Sequence, residues 1–265
     1  MSTLTVKDLS IHIKKDDHPI VTDLSFSLRS GESLVLLGQS GCGKTMTCRA
    51  VMGLLDKCLF RTGGSILFDQ TQLLHMAERK RPELYGNKIA FIPQNPMTAL
   101  DPSMRIRSQM EEHLRLHTKL DRKERKDCIR DALIRAGLRD TGRVLRSFPY
   151  ALSGGMLQRV LIAMATATKA DLIVADEPTT ALDVVHRNET VDAFLCLRES
   201  GAAVLFVTHD FAAARRLGGD VLVMKDGTVV EQGKTRDIYT APKTEYAKAL
   251  VKASALSKGE GCAAR

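Results

Sequence analysis

The sequence predicts an α/β fold: a parallel core sheet, an antiparallel β layer at its N-terminal side, and a helical subdomain inserted between two halves of the core. Three observations predict it. Short, almost wholly apolar runs at 33–37, 172–175 and 203–207 have the length of strands buried on both faces. Residues 4–13 and 21–28 alternate in part between apolar and polar on either side of the polar turn 14–19, which is the pattern of an antiparallel hairpin. From Pro102 to about Leu145 the chain turns charged, with apolar residues at helical spacing such as Met110, Leu114, Ile129 and Leu133.

Taken in order, the hairpin hands over at Ser30-Gly31 to the apolar run 33–37, which leads into Gly38-Gln39-Ser40-Gly41-Cys42-Gly43-Lys44-Thr45. Residues 46–55 continue as a helix as far as Gly53. A strand, a glycine loop and a helix start make a cradle for a polyphosphate. The glycines let backbone N–H groups curl around the anion, and the helix end adds partial positive charge. The stretch fits G-x-x-x-x-G-K-[ST], the Walker A pattern, in which Lys44 reaches the outer phosphates and the Thr45 hydroxyl holds Mg²⁺. A chance glycine turn is the bland alternative, and the flanking strand and helix argue against it.

Residues 63–69 read as a turn and a strand, and 88–92 as a strand ending at Pro93-Gln94. The helical insert follows, from Pro96 to about Ala167. Asp121 and Glu124 stand at capping-box spacing, and Gly137 and Gly142 are candidate helix stops. Leu152-Ser153-Gly154-Gly155-Met156-Leu157-Gln158-Arg159 then opens a helix with Ser153 as N-cap. Its two glycines present bare N–H groups, a second anion site separate from the first. By itself Ser-Gly-Gly is usually an ordinary loop; the next strand raises its standing. Residues 172–175 deliver Asp176-Glu177 to a strand's C-terminal end, where α/β sheets bind ligands. The Asp suits Mg²⁺, and the Glu beside it can polarise an attacking water. Beyond Ala181-Leu182-Asp183 and a helix to about Ser200, the strand 203–207 ends in Thr208-His209-Asp210, with His209 placed to sense a γ-phosphate. Residues 221–224 and 228–231 form a hairpin around Asp226-Gly227. The remainder is helical and polar, with residues 257–265 as a loose tail.

The 265 residues hold no apolar run of membrane-spanning length, and the N-terminus reads at once as a strand rather than as a secretory signal. Six cysteines show no paired or zinc-type spacing, which points to free thiols in a reducing cytosol. The net charge of +8 could suit an anionic membrane surface, nucleic acid or nucleotide, but it is spread along the chain with some density at 122–126, and a solubilising surface is the preferred reading. His113 and His117 stand four apart on a helix, a spacing that could chelate a metal. The bland reading, two exposed histidines on a charged helix, is preferred.

Taken together these residues resemble the nucleotide-binding subunit of an ABC transporter, a P-loop NTPase, over about residues 4–250. The resemblance rests on motifs in the right order: the Walker A loop, Gln94 as the Q-loop, the signature around Ser153, Asp176 and Glu177, Asp183 in the D-loop, and His209 as the switch histidine. The run from Gln94 to Pro102, the Met form of the signature and Pro242…Tyr246…Leu250 resemble the dipeptide, oligopeptide and nickel importer group, the short nickel-type members in size. The resemblance implies one ATPase domain over 1–250, with its α/β core at 1–95 and 168–235, an insert at about 96–167 and a tail at 251–265. ATP would be bound by Gly38 to Thr45, by Ile13 at the adenine, and by Ser153, Gly154, Gly155 and Asp183 of a paired subunit. Mg²⁺ would lie on Thr45, Gln94 and Asp176, with Lys44, Glu177 and His209 catalytic. Ile13 stands where the family usually has an aromatic, and Ala151 where Glu or Gln often precedes the signature.

The implied partners are transmembrane permease subunits, a second ABC ATPase (a copy or a paralogue) and, indirectly, an extracytoplasmic substrate-binding protein. The implied location is the cytoplasmic face of the cell membrane. A P-loop kinase or GTPase has no use for Ser153-Gly154-Gly155, and a DNA-repair ABC ATPase needs a long coiled coil for which the interval from Gln94 to Ser153 is too short. Ribosome-acting ABC proteins usually carry two cassettes, and an adaptor without hydrolysis would be expected to lack Glu177 or His209. An ABC ATPase of another transporter type, an exporter for instance, is the alternative to an importer.

Overall fold

Among the residues that the computed structural model describes, 2–180 and 182–256, the chain forms ten strands and nine α-helices. The strands are β1 (Ser2–Ile13), β2 (Pro19–Arg29), β3 (Ser33–Leu37), β4 (Phe60–Phe68), β5 (Thr71–Gln72), β6 (Ile89–Ile92), β7 (Leu172–Asp176), β8 (Ala203–Thr208), β9 (Asp220–Lys225) and β10 (Thr228–Lys234). The helices are α1 (Lys44–Val51), α2 (Ile106–His117), α3 (Arg122–Arg135), α4 (Thr141–Arg146), α5 (Gly154–Thr168), α6 (Val184–Glu199), α7 (Phe211–Leu217), α8 (Thr235–Thr240) and α9 (Glu245–Leu256). The chain divides into two units. One comprises residues 2–29, 33–75 and 205 onward; the other comprises 30–32 and 76–204.

The unit that contains the N-terminal hairpin has an antiparallel sheet in the order β2-β1-β4-β5. Leu4, Val6, Leu9 and Ile11 of β1 are buried and stand opposite Leu28, Phe26, Leu24 and Val21 of β2. The alternation changes phase between Val6 and Leu9, where the register shifts and Asp8 takes a left-handed backbone, φ 50°. Gly63 and Gly64 lie inside β4 and not in a turn ahead of it, and the bulge explains Gly64. Gly64 has φ +82°, and a β-carbon there would strike the carbonyl oxygens of Lys7 and Asp8. A separate sheet in the same unit runs in the order β3-β9-β10, with β3 parallel to β9 and β9 antiparallel to β10. Asp226-Gly227 closes the β9–β10 hairpin with positive φ at both residues, as its turn chemistry predicts. The Gly227 carbonyl accepts the Thr22 N–H at 2.9 Å, which ties that turn to β2.

The other unit holds β6 and β7, which are parallel, and the Ala203 N–H at the start of β8 bonds to the Asp171 carbonyl. Helices α2 to α5 span residues 106–168 in this unit. α5 is central among them, apolar on most faces, with Leu157, Val160, Ile162 and Ala163 buried. α3 packs on it through Ile129, Ala132 and Leu133. Both legs of the capping box are present: Asp121 accepts from Glu124 N at 2.8 Å, and Glu124 accepts from Asp121 N at 2.7 Å. Gly137 follows the α3 C-cap in a left-handed conformation, as a helix stop should. Gly142 is no stop, because Asp140 caps a new short helix that runs through it. Among the described residues, no helix is long and apolar enough to cross a membrane.

Candidate active site

In the hairpin-bearing unit, β3 delivers the chain to Gly38 and α1 takes it up at Lys44. Two glycines of the loop are required by their neighbours. A β-carbon on Gly38 would collide with the Met224 carbonyl oxygen and lie 2.7 Å from Cys42 Sγ. Gly43, the α1 N-cap, has φ +100°, and a β-carbon there would come within 2.8 Å of both Ile20 O and Val21 Cγ2. The loop is thus pressed against β9 and β2, and its shape depends on bare backbone. Lys44 is 3% exposed, and its Nζ donates to the carbonyls of Gly38 and Gln39 at 2.8 Å each. The Cys42 thiol lies 3.7 Å from that ammonium. Burial pushes the thiol pKa up, and the Lys44 charge only partly offsets it. Gln39, Ser40 and Gly41 are exposed and Thr45 half-buried. The Gln39 N–H donates to the Tyr246 hydroxyl at 3.0 Å.

His209 is exposed just beyond β8 in this unit. It precedes Asp210, whose carboxylate caps α7 by accepting from Ala212 N and Ala213 N. Ile13 ends β1, half-buried and opposite Phe60 in register.

The insert-bearing unit holds the carboxylates. Asp176 closes β7 at 6% exposure, and Glu177 follows at 8%. Glu177 has φ 46°, a left-handed backbone that disfavours any residue with a β-carbon. Such strain persists where surroundings over-determine it, and it clusters at functional sites. Here the Glu177 carboxylate accepts from Gln94 Nε2 at 3.3 Å and from the Thr180 hydroxyl at 3.0 Å. Gln94 is held in turn from behind, because the buried Gln158 amide donates to the Pro93 carbonyl at 3.3 Å.

Ser153 caps α5 as expected, its hydroxyl accepting from Met156 N at 3.3 Å. Gly154 has open space around it, whereas a β-carbon on Gly155 would sit 3.4 Å from His186 Cβ. Asp183 is the N-cap of α6 and is occupied locally. It accepts from His186 N at 2.9 Å and pairs with His186 Nδ1 at 2.6 Å. These bonds hold its carboxyl pKa below the usual range. Arg159 is buried and ties three segments together. It donates to Gly155 O at 3.3 Å and to Gly137 O at 3.4 Å, and it pairs with Glu189 at 2.9 Å. Beside Ser153 opens a cleft of about 730 Å³ whose walls mix Arg135, Arg139, Arg143 and Arg159 with Asp140, Glu189 and Asp192.

The structure therefore brings Gln94 to Glu177 and Gly155 to His186, and gathers Gly38, Gln39, Cys42 and Lys44 around one ammonium. Thr180, His186 and Tyr246 take part in these arrangements without any role assigned from sequence. His113 and His117 are half-buried, not exposed, with ring centroids 4.8 Å apart. Among the described residues, no group of three or more His, Cys, Asp or Glu could hold a metal ion.

Comparison with known proteins agrees with this chemistry. The family described as ABC transporter matches residues 21–180. A metal-staphylopine import system ATP-binding protein of Staphylococcus aureus is 38% identical over 252 residues, 95% of this chain and 93% of that protein. A dipeptide transport ATP-binding protein of Haemophilus influenzae is 37% identical, over 95% of this chain and 77% of that one. Among solved structures, the dimeric structure of MJ0796, a bacterial ABC transporter cassette, superposes with a TM-score of 0.76 at 26% identity, over 88% of this chain and 99% of that one. The chain belongs to the ABC transporter family and is an ATP-binding, ATP-hydrolysing subunit of it.

Proposed function

We propose that the chain drives an importer, and that its ATP hydrolysis powers uptake of nickel, metal chelates or short peptides through a separate permease. The importer reading is supported by relatives named for metal-staphylopine, dipeptide and oligopeptide transport at 37–38% identity. The catalytic reading is carried by Glu177, a buried carboxylate in a strained backbone at a strand end, held by Gln94 and Thr180.

Phosphoryl transfer asks a protein mainly for position and charge stabilisation. The loop Gly38–Thr45 cradles the phosphates, with Lys44 leaving its two loop carbonyls to meet the outer ones. Ile13 offers an apolar contact to adenine. Thr45, Gln94 and Asp176 present a hydroxyl, an amide and a carboxylate oxygen, the hard donor set that suits Mg²⁺. Those residues would hold the ion, which would supply charge neutralisation on the phosphates. Glu177 orients and polarises the attacking water, and His209 supports the γ-phosphate. Ser153, Gly154 and Gly155 close on the nucleotide from a second ATPase subunit, a copy or a paralogue, and Asp183 couples the two sites. Closing that pair on ATP and reopening it after hydrolysis moves the helical insert against the permease at the cytoplasmic face of the membrane. An extracytoplasmic binding protein delivers the cargo.

The test is Glu177→Gln. The variant should bind ATP and lose nearly all steady-state hydrolysis in the assembled transporter; turnover equal to wild type would remove Glu177 from this role.

A further inference from the structure

We infer that Tyr246 is a positioning residue for the phosphate loop, through which docking of the C-terminal helix α9 sets nucleotide affinity. The inference rests on the nucleotide-binding reading above, and it adds a control that comes from a distant part of the chain. The Tyr246 hydroxyl accepts the Gln39 N–H at 3.0 Å across 207 residues of sequence.

The tyrosine has little freedom to be elsewhere, because the start of α9 is pinned. Glu231 of β10, 7% exposed, accepts from Lys243 N, from Thr244 N and from the Thr244 hydroxyl at 2.7–2.8 Å. Thr244 in turn accepts the Ala247 N–H at 3.2 Å, which makes it the side-chain cap of the helix. Burial alone would raise the Glu231 carboxyl pKa, but the three donors outweigh it and the net shift is downward. Glu231 is therefore an anion at neutral pH, and it faces a helix N-terminus that favours one. Lys225 lies over the Tyr246 ring at 5.6 Å, and Ala247 is fully buried.

On the loop side the same short segment is bonded in two directions. The Gln39 N–H goes to Tyr246, while the carbonyls of Gly38 and Gln39 accept the Lys44 ammonium. Gly38 has no room to retreat, because β9 stands against it at Met224 O. Tyr246 thus fixes the arm of the loop on which Lys44 rests before nucleotide arrives. Pre-organising a binding loop raises affinity by removing the entropy of ordering it. Losing one neutral hydrogen bond should lower nucleotide affinity about two- to tenfold. By linkage, nucleotide must tighten the docking of α9 by the same factor.

The experiment uses the full chain and Tyr246→Phe, which keeps the ring and its contact with Lys225. Affinity for a fluorescent ATP analogue is measured together with hydrogen exchange in peptides covering residues 38–44 and 245–252. The expected result has three parts: weaker binding by about two- to tenfold, faster exchange at Gln39, and ATP-induced protection of α9 that is present in wild type and reduced in the variant. Glu231→Gln should move all three readouts in the same direction. Tyr239→Phe, a hydroxyl lost from α8 in the same unit, should leave them unchanged. Unchanged affinity in Tyr246→Phe, or an α9 that ATP does not protect in wild type, overturns the inference. A lower melting temperature with nucleotide coupling intact also overturns it, since that marks a merely structural role. If wild type binds no analogue at all, the nucleotide-binding reading fails first and this one falls with it.

Discussion

Acidification should destabilise the insert-bearing unit, and His113 allows the size of the effect to be worked out. His113 lies on α2, half-buried, with the His117 ring 4.8 Å away. Burial first, and the neighbouring His117 second, lower its pKa from 6.5 to about 4; burial lowers that of His117 as well. Between these two pH values the unfolded chain takes up a proton that the folded chain refuses. Stability is then complete above pH 6.5 and is lost progressively as pH falls toward 4. At 1.36 kcal/mol per pH unit, the His113 contribution comes to about 3 kcal/mol over the whole window and about 1 kcal/mol between pH 7.5 and 5.5. Urea midpoints for wild type and His113→Gln at those two pH values isolate it. The variant should lose about 1 kcal/mol less than wild type on acidification. Equal losses in the two proteins would refute the buried, uncharged imidazole.

Two further outcomes concern the loop. Lys44→Ala removes the buried ammonium and its two charge-assisted bonds. It should weaken ATP binding at least about tenfold, because the ammonium would otherwise make a charged hydrogen bond of about 1.5–3 kcal/mol to the outer phosphates; labelled ATP bound at wild-type affinity would contradict the cradle. Alkylation of Cys42, in a chain whose Cys58, Cys196 and Cys262 are serine, should abolish hydrolysis, and ATP should protect. Because burial raises the thiol pKa, the labelling rate should still be climbing as pH passes the ordinary thiol range. Full labelling of Cys42 with activity retained would show that the loop tolerates the adduct.

Strands buried on both faces were the most legible elements, because a continuous apolar run needs no knowledge of partners. β3, β7 and β8 fall on the three runs read from sequence. Local capping chemistry was equally readable: Asp121, Ser153 and the Asp226-Gly227 turn each satisfy backbone groups within a few residues. The turn expected at Gly63-Gly64 is strand instead, because the need for Gly64 is non-local, a bulge at Asp8 on a neighbouring strand. The helix stop expected at Gly142 is absent because Asp140, not the glycine, decides the local geometry. At the site, the glycine loop and the paired carboxylates announce themselves by spacing. The left-handed backbone of Glu177 and the Tyr246 bond to Gln39 leave no local signature, since both are set by residues brought together only on folding. The exposed histidines expected at 113 and 117 are half-buried: the His117 ring lies beside Gly86, and the His113 ring lies 4.8 Å from that of His117.

The account depends on one ATP being gripped by two glycine-lined helix starts from two protein molecules. The most direct measurement is the mass of the Glu177→Gln chain, alone and mixed with its natural ATPase mate, with and without saturating Mg-ATP, by sedimentation or light scattering. A nucleotide-dependent dimer that Ser153→Arg abolishes is the predicted result. A chain that stays monomeric under every one of those conditions, while still binding ATP, would contradict it.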